Sequence, residues 1–320
     1  MLNSKLEELA FNKKIKDLKV NFQAIHNGYE ENSGIGEKYI SSNDDALCYA
    51  FFRMPSTTAV ISRCLSFFPR DERDLSLLDL GAGTGASVFA ILNEGLEVKK
   101  VTAIEESSHM IKVFNELISD VEVPFLVEQI NKDFTKENLD KYKSDIVLAS
   151  YSMNELNSKD RVKFLDTLWS IANKYILIIE PGTPKAFNEI MSYKEFFLSK
   201  GGHIIAPCMS EDCPIIKAEL NDWCHFSVRL RRPNIEMKIK DASRNFEDEK
   251  FTFLLISKEK VKAKESDIEG IIIRRPNIQK GKVSIRLCTN KGMLVEKVYT
   301  KKDKEVYKNI KKLEIGDYIK

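Results

Sequence analysis

The amino-acid sequence predicts an α/β fold with a doubly wound, Rossmann-like parallel sheet at its centre. Short apolar runs begin at Ser76 and alternate with helical stretches of about 10 to 15 residues, which is typical of parallel strands joined by crossover helices. A glycine-rich loop follows the first run, and residues 1-70 show helical spacing without strand-like alternation. We therefore expect a helical N-terminal region over 1-70, a core over 71-262 that includes a cysteine-rich insertion at 203-233, and a basic β-rich C-terminal domain over 263-320.

Composition sets the broad class of the protein. The chain has 320 residues, of which 43% are hydrophobic and 31% charged, as in a globular protein of one large domain with a small appendage. The opening segment from Met1 to Leu9 carries acids and no apolar run long enough for a signal peptide or a membrane span. We expect a monomeric cytoplasmic protein without membrane association, in which the cysteines stay reduced unless they bind metal or do chemistry.

The predicted elements follow in order along the chain. Helical spacing joins Leu2, Leu6 and Leu9, and a further helical run extends from Asp44 to Phe68. The first strand is predicted at Leu77 to Leu80, and the helix after the glycine loop at Ala86 to Asn93. The later strands are predicted at Val101 to Ile104, Val123 to Val127, Asp145 to Ala149 and Tyr175 to Ile179.

The loop from Asp79 to Gly85 is the predicted cofactor site. Glycines let the backbone turn sharply and approach a ligand, and the following helix offers free N–H groups at its N-terminus. Gly81, Gly83 and Ala86 also fit the dinucleotide pattern, so a nicotinamide or flavin enzyme is an alternative. Asp79 favours S-adenosylmethionine (SAM), because a carboxylate there would repel a pyrophosphate and SAM carries no phosphate.

Other cofactor contacts are predicted at the ends of the neighbouring strands. Glu105 ends the second strand, where a carboxylate accepts hydrogen bonds from ribose hydroxyls. Asp133 is a candidate contact to the adenine amino group, with a solvated loop aspartate as the equal alternative. The predicted SAM-binding residues are Asp79, Gly81, Ala82, Gly83, Gly85, Glu105, Asp133 and Ser150.

Catalytic residues are harder to find. The segment from Ser150 to Leu156 lacks the motif of an Asn or Asp, two prolines and an aromatic residue that many amino-methylating enzymes keep here. Asn154 and Glu155 are weak catalytic candidates that either orient a substrate amine or, as we favour, cap the helix near Lys159. Methyl transfer requires mainly alignment of the nucleophile with the methyl group, so the lack of an evident acid or base residue does not exclude an enzyme.

Four cysteines form a candidate metal site. Cys208, Cys213 and Cys224 lie close together in sequence, and Cys288 stands in the basic tail. Thiolates from two segments can enclose a tetrahedral zinc or an iron-sulfur cluster, although the gaps differ from the two-residue knuckles of common zinc modules. The alternative is a set of idle thiols. Other possible ligands are His203 and His225, whereas Cys48 and Cys64 fit core positions.

The end of the chain is strongly basic. Residues 269–320 contain 14 Lys and Arg against 6 Asp and Glu, although the whole chain has a net charge of only +2. This asymmetry predicts either a phosphate-contacting surface or a solvated lysine-rich face. The basic residues that lie close together in sequence are Arg274, Arg275, Lys280, Lys282 and Arg286.

Several short sequence motifs resemble those of the methyltransferase-like family associated with the small ribosomal subunit, known from mitochondrial ribosome assembly and from bacterial relatives. The most specific are the motifs in and next to the cysteine-rich segment: Ala206-Pro207-Cys208, Cys213-Pro214, Asp222-Trp223-Cys224-His225-Phe226 and Arg229-Leu230-Arg231-Arg232-Pro233. Others are Arg53-Met54-Pro55-Ser56-Thr57, Glu180-Pro181-Gly182-Thr183-Pro184, Arg274-Arg275-Pro276 and Leu287-Cys288-Thr289. The resemblance runs from about residue 40 to the C-terminus.

The resemblance implies a class I SAM-methyltransferase core with a small C-terminal β-rich domain. It also implies a 4Fe-4S cluster on Cys208, Cys213, Cys224 and Cys288, with zinc as the alternative metal. The residues after Cys208 are Met209-Ser210-Glu211, where family members often have Pro-His-Asp, so the surroundings of this ligand differ.

The expected function is a methyltransferase-like protein that acts on, or assembles, the small ribosomal subunit and contacts its rRNA, with ribosomal proteins as further partners. Two alternatives stay open: a noncatalytic RNA-binding assembly factor, and a methyltransferase for a protein or small molecule.

Overall fold

The computed structural model describes residues 1–31, 40–153, 156–217, 222–261, 268–302 and 304–320. The chain divides into two compact units. The first comprises Met1–Glu180 and Val228–Glu249, and the second comprises Pro181–Ser227 and Lys250–Lys320.

Three helices occupy the N-terminal region, as the apolar spacing predicts. They are α1 (Leu2–Ala10), α2 (Ile15–Glu31) and α3 (Asn43–Leu65). Leu2 and Leu6 are buried along one face of α1. The α3 helix starts after Ser42, whose side chain accepts a hydrogen bond from the backbone N–H of Asp45 and so satisfies one free donor of the first turn.

Five parallel strands form the core of the first unit in the order β3-β2-β1-β4-β5. This is the strand order of doubly wound α/β folds, so the predicted fold class is confirmed. The strands are β1 (Leu75–Leu80), β2 (Val98–Glu105), β3 (Leu126–Asn131), β4 (Ser144–Ser150) and β5 (Ala172–Pro181). The intervening helices are α4 (Ala86–Glu94), α5 (Ser108–Ile118) and α6 (Ser158–Ile171), with a 3-10 helix at Leu139–Tyr142.

The predicted third strand was placed too early. It was expected at Val123 to Val127, but β3 starts only at Leu126. No residue of β3 is buried, because it is the last strand of this order and pairs on one side only with β2. Half-exposed strands carry a weaker apolar signal than the buried ones, and this explains the displaced boundary.

The register of the parallel strands places three candidate residues at one edge of the sheet. Leu80 pairs with Ile104 on one side and with Ala149 on the other. The glycine loop, Glu105 and Ser150 therefore all lie at the carboxyl ends of adjacent strands, where open α/β sheets bind their ligands.

The remaining elements of the core lie after β5. They are α7 (Pro184–Ser199), β6 (His203–Ala206), α8 (Pro214–Lys217), β7 (Phe226–Arg231), α9 (Asn234–Ile239) and β8 (Phe246–Ser257). Strand β8 pairs with β7 and runs antiparallel to β6.

A second, five-stranded sheet ends the chain. Its elements are β9 (Gly270–Ile272), β10 (Asn277–Gln279), β11 (Lys282–Thr289), β12 (Leu294–Thr300), α10 (Lys304–Ile310) and β13 (Tyr318–Ile319). This sheet has its own hydrophobic core of Ile272, Val283, Ile285, Leu287, Tyr307, Ile310 and Ile319. No helix within the described residues is long and apolar enough to cross a membrane.

Candidate functional site

The glycine loop connects β1 to α4 in a conformation that favours glycine. Gly81, Gly83 and Gly85 have φ angles of +77°, +55° and +87°, which lie in the left-handed region. A Cβ atom on Gly81 would lie 2.9 Å from the Cβ of Ser152, and one on Gly85 would lie 2.3 Å from the ring of Phe114. Two of these positions therefore require glycine for space as well as for backbone conformation.

Hydrogen bonds hold the loop against the end of β2. The backbone N–H groups of Gly81 and Ala82 both donate to the carbonyl oxygen of Ile104, over 2.9 and 3.1 Å. The backbone N–H of Gly83 donates to Oε2 of Glu105 over 2.9 Å. The carboxylate of Glu105 thus faces the glycine loop, as the sequence predicts for a ribose-binding acid.

Burial raises the pKa of Glu105, and hydrogen bonds from the backbone N–H groups of Ser107 and Gly83 partly offset this effect. Ser107 donates to Oε1 over 2.8 Å. Each carboxylate oxygen can accept a second hydrogen bond, so the group keeps capacity for a ligand.

Asp79 lies at the end of β1 beside the same loop and is 3% exposed. Its carboxylate accepts a hydrogen bond from the hydroxyl of Ser87 in α4. Burial raises the pKa of Asp79 to about 7, with the Ser87 hydrogen bond opposing this shift and the charge of Glu105 adding to it. Two carboxyl groups therefore flank the loop, which disfavours a pyrophosphate and suits a cationic ligand.

Asp133 is engaged in a local turn. Its Oδ1 accepts hydrogen bonds from the backbone N–H and the hydroxyl of Thr135, over 2.9 and 2.6 Å. Its Oδ2 lies 2.6 Å from Nζ of Lys136. An adenine amino group would therefore share this carboxylate with Thr135 and Lys136.

Three consecutive hydroxyl groups at the end of β4 are buried. Oγ of Ser150, the hydroxyl of Tyr151 and Oγ of Ser152 have no hydrogen-bond partner in the described part of the chain. Tyr151 has a φ angle of +59°, which is rare for a residue with a large side chain. These groups can take hydrogen bonds from a ligand that enters beside the glycine loop.

Arg53 covers the ring of Tyr151, with its guanidinium carbon 4.8 Å from the ring centroid. The guanidinium also donates to Oε1 of Glu249 over 3.0 Å. Burial raises the pKa of Tyr151 far above its ordinary value, despite the nearby charge of Arg53. The phenol therefore stays protonated and can donate a hydrogen bond but cannot serve as a base.

The weak catalytic candidates Asn154 and Glu155 lie outside the described residues. The capping role favoured for them falls to another residue. Asn157 caps α6, because its side-chain oxygen accepts hydrogen bonds from the backbone N–H groups of Lys159 and Asp160, over 3.1 Å each.

The second unit brings the four predicted metal ligands together. Cys208, Cys213, Cys224 and Cys288 all line one cavity of about 30 Å³, and none of the four is in a disulfide. Burial raises the pKa of Cys224 well above its ordinary value, and the neighbouring Cys208 and Cys288 raise it further. Within the described ranges, no group of three or more His, Cys, Asp or Glu side chains is placed so that it could hold a metal ion.

Thiols are nevertheless the donor type that binds zinc and iron-sulfur clusters. Burial, together with the neighbouring Cys208 and Cys213, raises the pKa of Cys288 to about 12, so the Cys288 thiol is protonated in the absence of a cation. A metal ion displaces such protons and takes the sulfur atoms as ligands. By contrast, Cys48 and Cys64 are fully buried in α3, as expected for core residues.

The two histidines differ in position. His203 is exposed at the start of β6. His225 stacks on Trp223 with ring centroids 5.4 Å apart. Its Nδ1 is buried and accepts no hydrogen bond from the residues that the structure covers.

An ion-pair clamp fixes the segment that carries Cys224. Arg274 donates from Nη2 to Oδ1 of Asp222 and, over 2.9 Å, to the carbonyl oxygen of Trp223. Arg286 lies on the other side, with Nη1 3.5 Å from Oδ2 of Asp222. These two arginines, expected at a phosphate-contacting surface, are thus partly committed to Asp222.

Lys194 contributes a buried positive charge to the same unit. The residue lies on α7 and is 3% exposed, with Nζ donating to the carbonyl oxygen of Glu211 over 2.7 Å. Its charge partly offsets the raised pKa of Cys288. Buried lysines are rare unless a partner compensates the charge, so a negatively charged centre nearby would suit this site.

Sequence reasoning missed Tyr151, Ser152, Lys194 and the clamp around Asp222. Two weak signals for these residues were present in the sequence, since Arg53 and Asp222 both belong to motifs that carry the family resemblance. Nothing in the sequence marked Lys194, which has the spacing of an ordinary helical residue.

Comparison with known proteins identifies the family. The family model described as mitochondrial small ribosomal subunit Rsm22 matches residues 43–320. The mitochondrial ribosome assembly protein METTL17 of Homo sapiens is 25% identical over 205 residues, which span 57% of this chain and 43% of the human protein. The chain therefore aligns with less than half the length of that relative.

Solved structures give looser likenesses. Magnesium protoporphyrin IX methyltransferase from Synechocystis PCC 6803 has 10% identity and a TM-score of 0.41, covering 77% of this chain and 97% of that one. A SAM-dependent methyltransferase from Aquifex aeolicus has 14% identity and a TM-score of 0.40, covering 65% and 94%. The family match spans most of the sequence, and the chain belongs to the Rsm22 family of the mitochondrial small ribosomal subunit.

Proposed function

We propose that this protein binds SAM at the glycine loop and acts on, or helps to assemble, the small ribosomal subunit. The family match supports the ribosomal part. The observation that carries the cofactor part is the Glu105 carboxylate, which accepts a hydrogen bond from Gly83 and faces the glycine loop from the next strand.

SAM would be held at the carboxyl edge of the parallel sheet. Glu105 would accept hydrogen bonds from the ribose hydroxyls, and Asp79, when ionised above its pKa of about 7, would favour the cationic methionine moiety by its charge. The ligand-holding set would be Asp79, Gly81, Ala82, Gly83, Gly85, Glu105, Asp133 and Ser150. When bound, SAM supplies a methyl group that an aligned nucleophile can accept.

A binding experiment tests the cofactor. Calorimetric titration with SAM should give saturable binding to the wild type, weakened about tenfold or more in Glu105→Gln, because a hydrogen bond to a charged group contributes about 1.5–3 kcal/mol. The control is Glu128→Gln, which removes a half-exposed carboxylate that pairs with Lys100 on the neighbouring strand. Failure of the wild type to bind SAM, or equal binding by Glu105→Gln, would refute this site.

The residues near the loop suggest how methyl transfer would work. Tyr151, Ser150 and Ser152 supply neutral hydroxyls that can orient an acceptor but do not remove a proton at neutral pH. Transfer would therefore rest on alignment rather than on general-base catalysis.

Labelled SAM separates the candidate functions. Incubation with small ribosomal subunits should place the label in rRNA if the protein is an rRNA methyltransferase. Label in a ribosomal protein or a small molecule would support the second alternative. SAM binding without any label transfer, together with subunit binding, would support the noncatalytic assembly factor.

We also propose a 4Fe-4S cluster on Cys208, Cys213, Cys224 and Cys288, with zinc as the alternative. The support is that all four thiols line one cavity and that Lys194 places a positive charge in the same unit. A bound cluster would tie β11 to the segments before α8 and β7, which stabilises folding.

Metal analysis tests this proposal. After anaerobic purification, about four irons and four sulfides per chain should be found, and Cys208→Ser should lose them. Cys64→Ser is the control, because this thiol is buried in α3 and distant in sequence from the four. One zinc per chain would favour the alternative metal, and a folded, metal-free wild type would refute the site.

The proposed partner is small-subunit rRNA, contacted through phosphate groups, with ribosomal proteins as further partners. The basic C-terminal region supports this, since phosphate contacts come mainly from Lys and Arg.

We propose that the protein is a monomer and lies in the cytoplasm. Size-exclusion chromatography with light scattering tests the oligomeric state, and cell fractionation tests the localisation.

A further inference from the structure

The basic residues of the C-terminal sheet fall into two groups that differ in their partners. Arg274 and Arg286 pair with Asp222, and Lys297 pairs with Glu269. The second group has no ion pair within the described residues and includes Lys280, Lys282, Lys301, Lys302 and Lys304; Lys291, Lys308, Lys311 and Lys312 of the same region also form none there.

Strand pairing brings Lys280, Lys282 and Lys301 to one end of the sheet, and Lys302 and Lys304 follow Lys301 closely in sequence. Lys280 and Gly281 form the two-residue turn between β10 and β11, where Gln279 pairs with Lys282. On the other side of β11, Lys282 pairs with Thr300 at the end of β12. The backbone N–H of Lys301 donates to the carbonyl oxygen of Gly281 over 3.1 Å, so the two lysine-bearing segments are in direct contact.

The hydrophobic core of this sheet holds the lysine-bearing segments in place. Val283 follows Lys282 and is fully buried, and Tyr307 of α10 packs into the same core. Lys304 begins α10, so it is attached to the scaffold that supports the turn. All five lysines are exposed, while their backbone belongs to packed elements or to the turns between them.

The charge at this end is mainly positive. Residues 279–282 and 300–305 contain five lysines against two acids, Glu305 and Asp303, and Asp303 lies outside the described residues. An excess of lysines over carboxylates raises the local positive potential and attracts an anionic chain, whereas paired arginines contribute little.

The cysteine site lies at the opposite end of the same strand. Lys282 is the first residue of β11 and Cys288 is the seventh, a separation of about 20 Å along a strand. A variant at the lysine end can therefore be made without touching the proposed metal ligands.

We infer that this lysine end, formed by Lys280, Lys282, Lys301, Lys302 and Lys304, is the surface that contacts the RNA phosphate backbone. The inference rests on the proposed rRNA-binding function and assigns it to one surface. Recognition here is by charge and not by base sequence, because ammonium groups on flexible stems act as point charges toward phosphate.

Salt-dependent binding tests the assignment. Full-length small-subunit rRNA is titrated with the wild type and with a variant carrying Lys280→Gln, Lys282→Gln, Lys301→Gln and Lys302→Gln. Each lost phosphate contact lowers the slope of log affinity against log salt by about 0.7 to 0.9, so the slope should fall by about 3 and the affinity by about a hundredfold.

A charge-matched control removes four exposed lysines elsewhere. It carries Lys14→Gln, Lys16→Gln, Lys159→Gln and Lys163→Gln, which are exposed positions of the first unit. The control should keep the wild-type slope, and both variants should keep the wild-type thermal midpoint, because none of the eight lysines contributes to a core.

Four outcomes overturn the inference. Equal loss of slope in both variants would show that binding follows net charge and not this surface. Unchanged binding by the lysine-end variant would place the RNA contact elsewhere while leaving rRNA binding intact. Binding to polyglutamate but not to rRNA would point to a protein partner, and failure of the wild type to bind either polymer would refute the proposed function together with the surface.

Discussion

Two carboxyl groups of the first unit, the buried Asp79 and the partly buried Asp145, show how local contacts determine whether stability falls or rises with pH. Burial raises the pKa of Asp79 from 3.8 to about 7, because a single hydrogen bond from Ser87 does not compensate its loss of water. Asp145 is less buried and accepts hydrogen bonds from both the backbone N–H and the hydroxyl of Ser76, which hold its pKa below the ordinary value despite burial.

The first prediction concerns Asp79→Asn. The folded state keeps the Asp79 proton up to about pH 7, while the unfolded state loses it near pH 4, so the contribution of Asp79 to stability should fall between these values, by at most about 4 kcal/mol. Asp79→Asn should flatten this slope. Urea unfolding at several pH values measures it.

Asp145→Asn serves as the comparison, because its lowered pKa gives the opposite sign. The wild-type contribution of Asp145 is present above the unfolded pKa and is lost as the pH falls through the folded one. An unaltered slope of stability against pH in Asp79→Asn would contradict the assigned burial of Asp79.

The second prediction compares two glycines of the loop. Gly83→Ala meets open space and should cost about 1–2 kcal/mol for a left-handed φ alone. Gly85→Ala has the same backbone strain and also places a Cβ 2.3 Å from the ring of Phe114, so it should cost about 1–3 kcal/mol more. Urea unfolding of both variants gives the difference, and equal costs would show that Phe114 moves aside freely.

At the scale of elements, the clamp around Asp222 connects β9 and β11 to the segment before β7. Asp222 lies two residues before Cys224, and its carboxylate meets Arg274 and Arg286 from two parts of the C-terminal region. Trp223 adds a hydrogen bond from Nε1 to the carbonyl oxygen of Gly182 over 3.0 Å. Together these contacts restrict where the Cys224 sulfur can lie.

The third prediction is that Asp222→Asn lowers metal retention. Loss of the carboxylate leaves Arg274 and Arg286 without their anionic partner and loosens the Cys224 segment, so metal affinity should fall about 10- to 100-fold. Iron or zinc content after dialysis against a chelator measures this. Asp248→Asn is the control, because Asp248 forms a two-pronged pair with Arg229 outside this unit. Equal metal retention in the two variants would show that the contacts of Asp222 do not support metal binding.

The elements also show what the sequence could predict. Buried strands such as β1 and β4 were predicted within a few residues, because four or more consecutive positions of each are buried and apolar runs report burial directly. The predicted position of strand β3 was displaced because the strand is half exposed and its apolar signal is weak.

Pairs of distant residues were not predictable. Arg274 meets Asp222 across 52 residues of sequence, and Arg53 meets Glu249 across 196. Side-chain spacing carries no information on such pairs, since only the tertiary fold brings them together. The four cysteines were predictable as a group because thiols are few and chemically distinct.

At the scale of the whole molecule, the two proposed ligands lie in different compact units. The glycine loop, Glu105 and Ser150 belong to the first unit, and the four cysteines belong to the second. A ligand that binds only the folded state stabilises it by about 2.7 kcal/mol at a hundred times its dissociation constant, and the protection is greatest in the unit that it contacts.

The last prediction is therefore a separation in hydrogen exchange. SAM should slow amide exchange in 79–85 and 102–107, where its proposed contacts lie, and leave 282–289 unchanged. Metal loading should slow exchange in 206–217 and 282–289, because the bound sulfurs restrain both segments. At one fixed SAM concentration, Glu105→Gln should reduce the first effect and keep the second, and Cys288→Ser should remove the second and keep the first. Protection of both units by either ligand alone would show that the sites are coupled, and protection of neither segment by its own ligand would contradict the placement of that site.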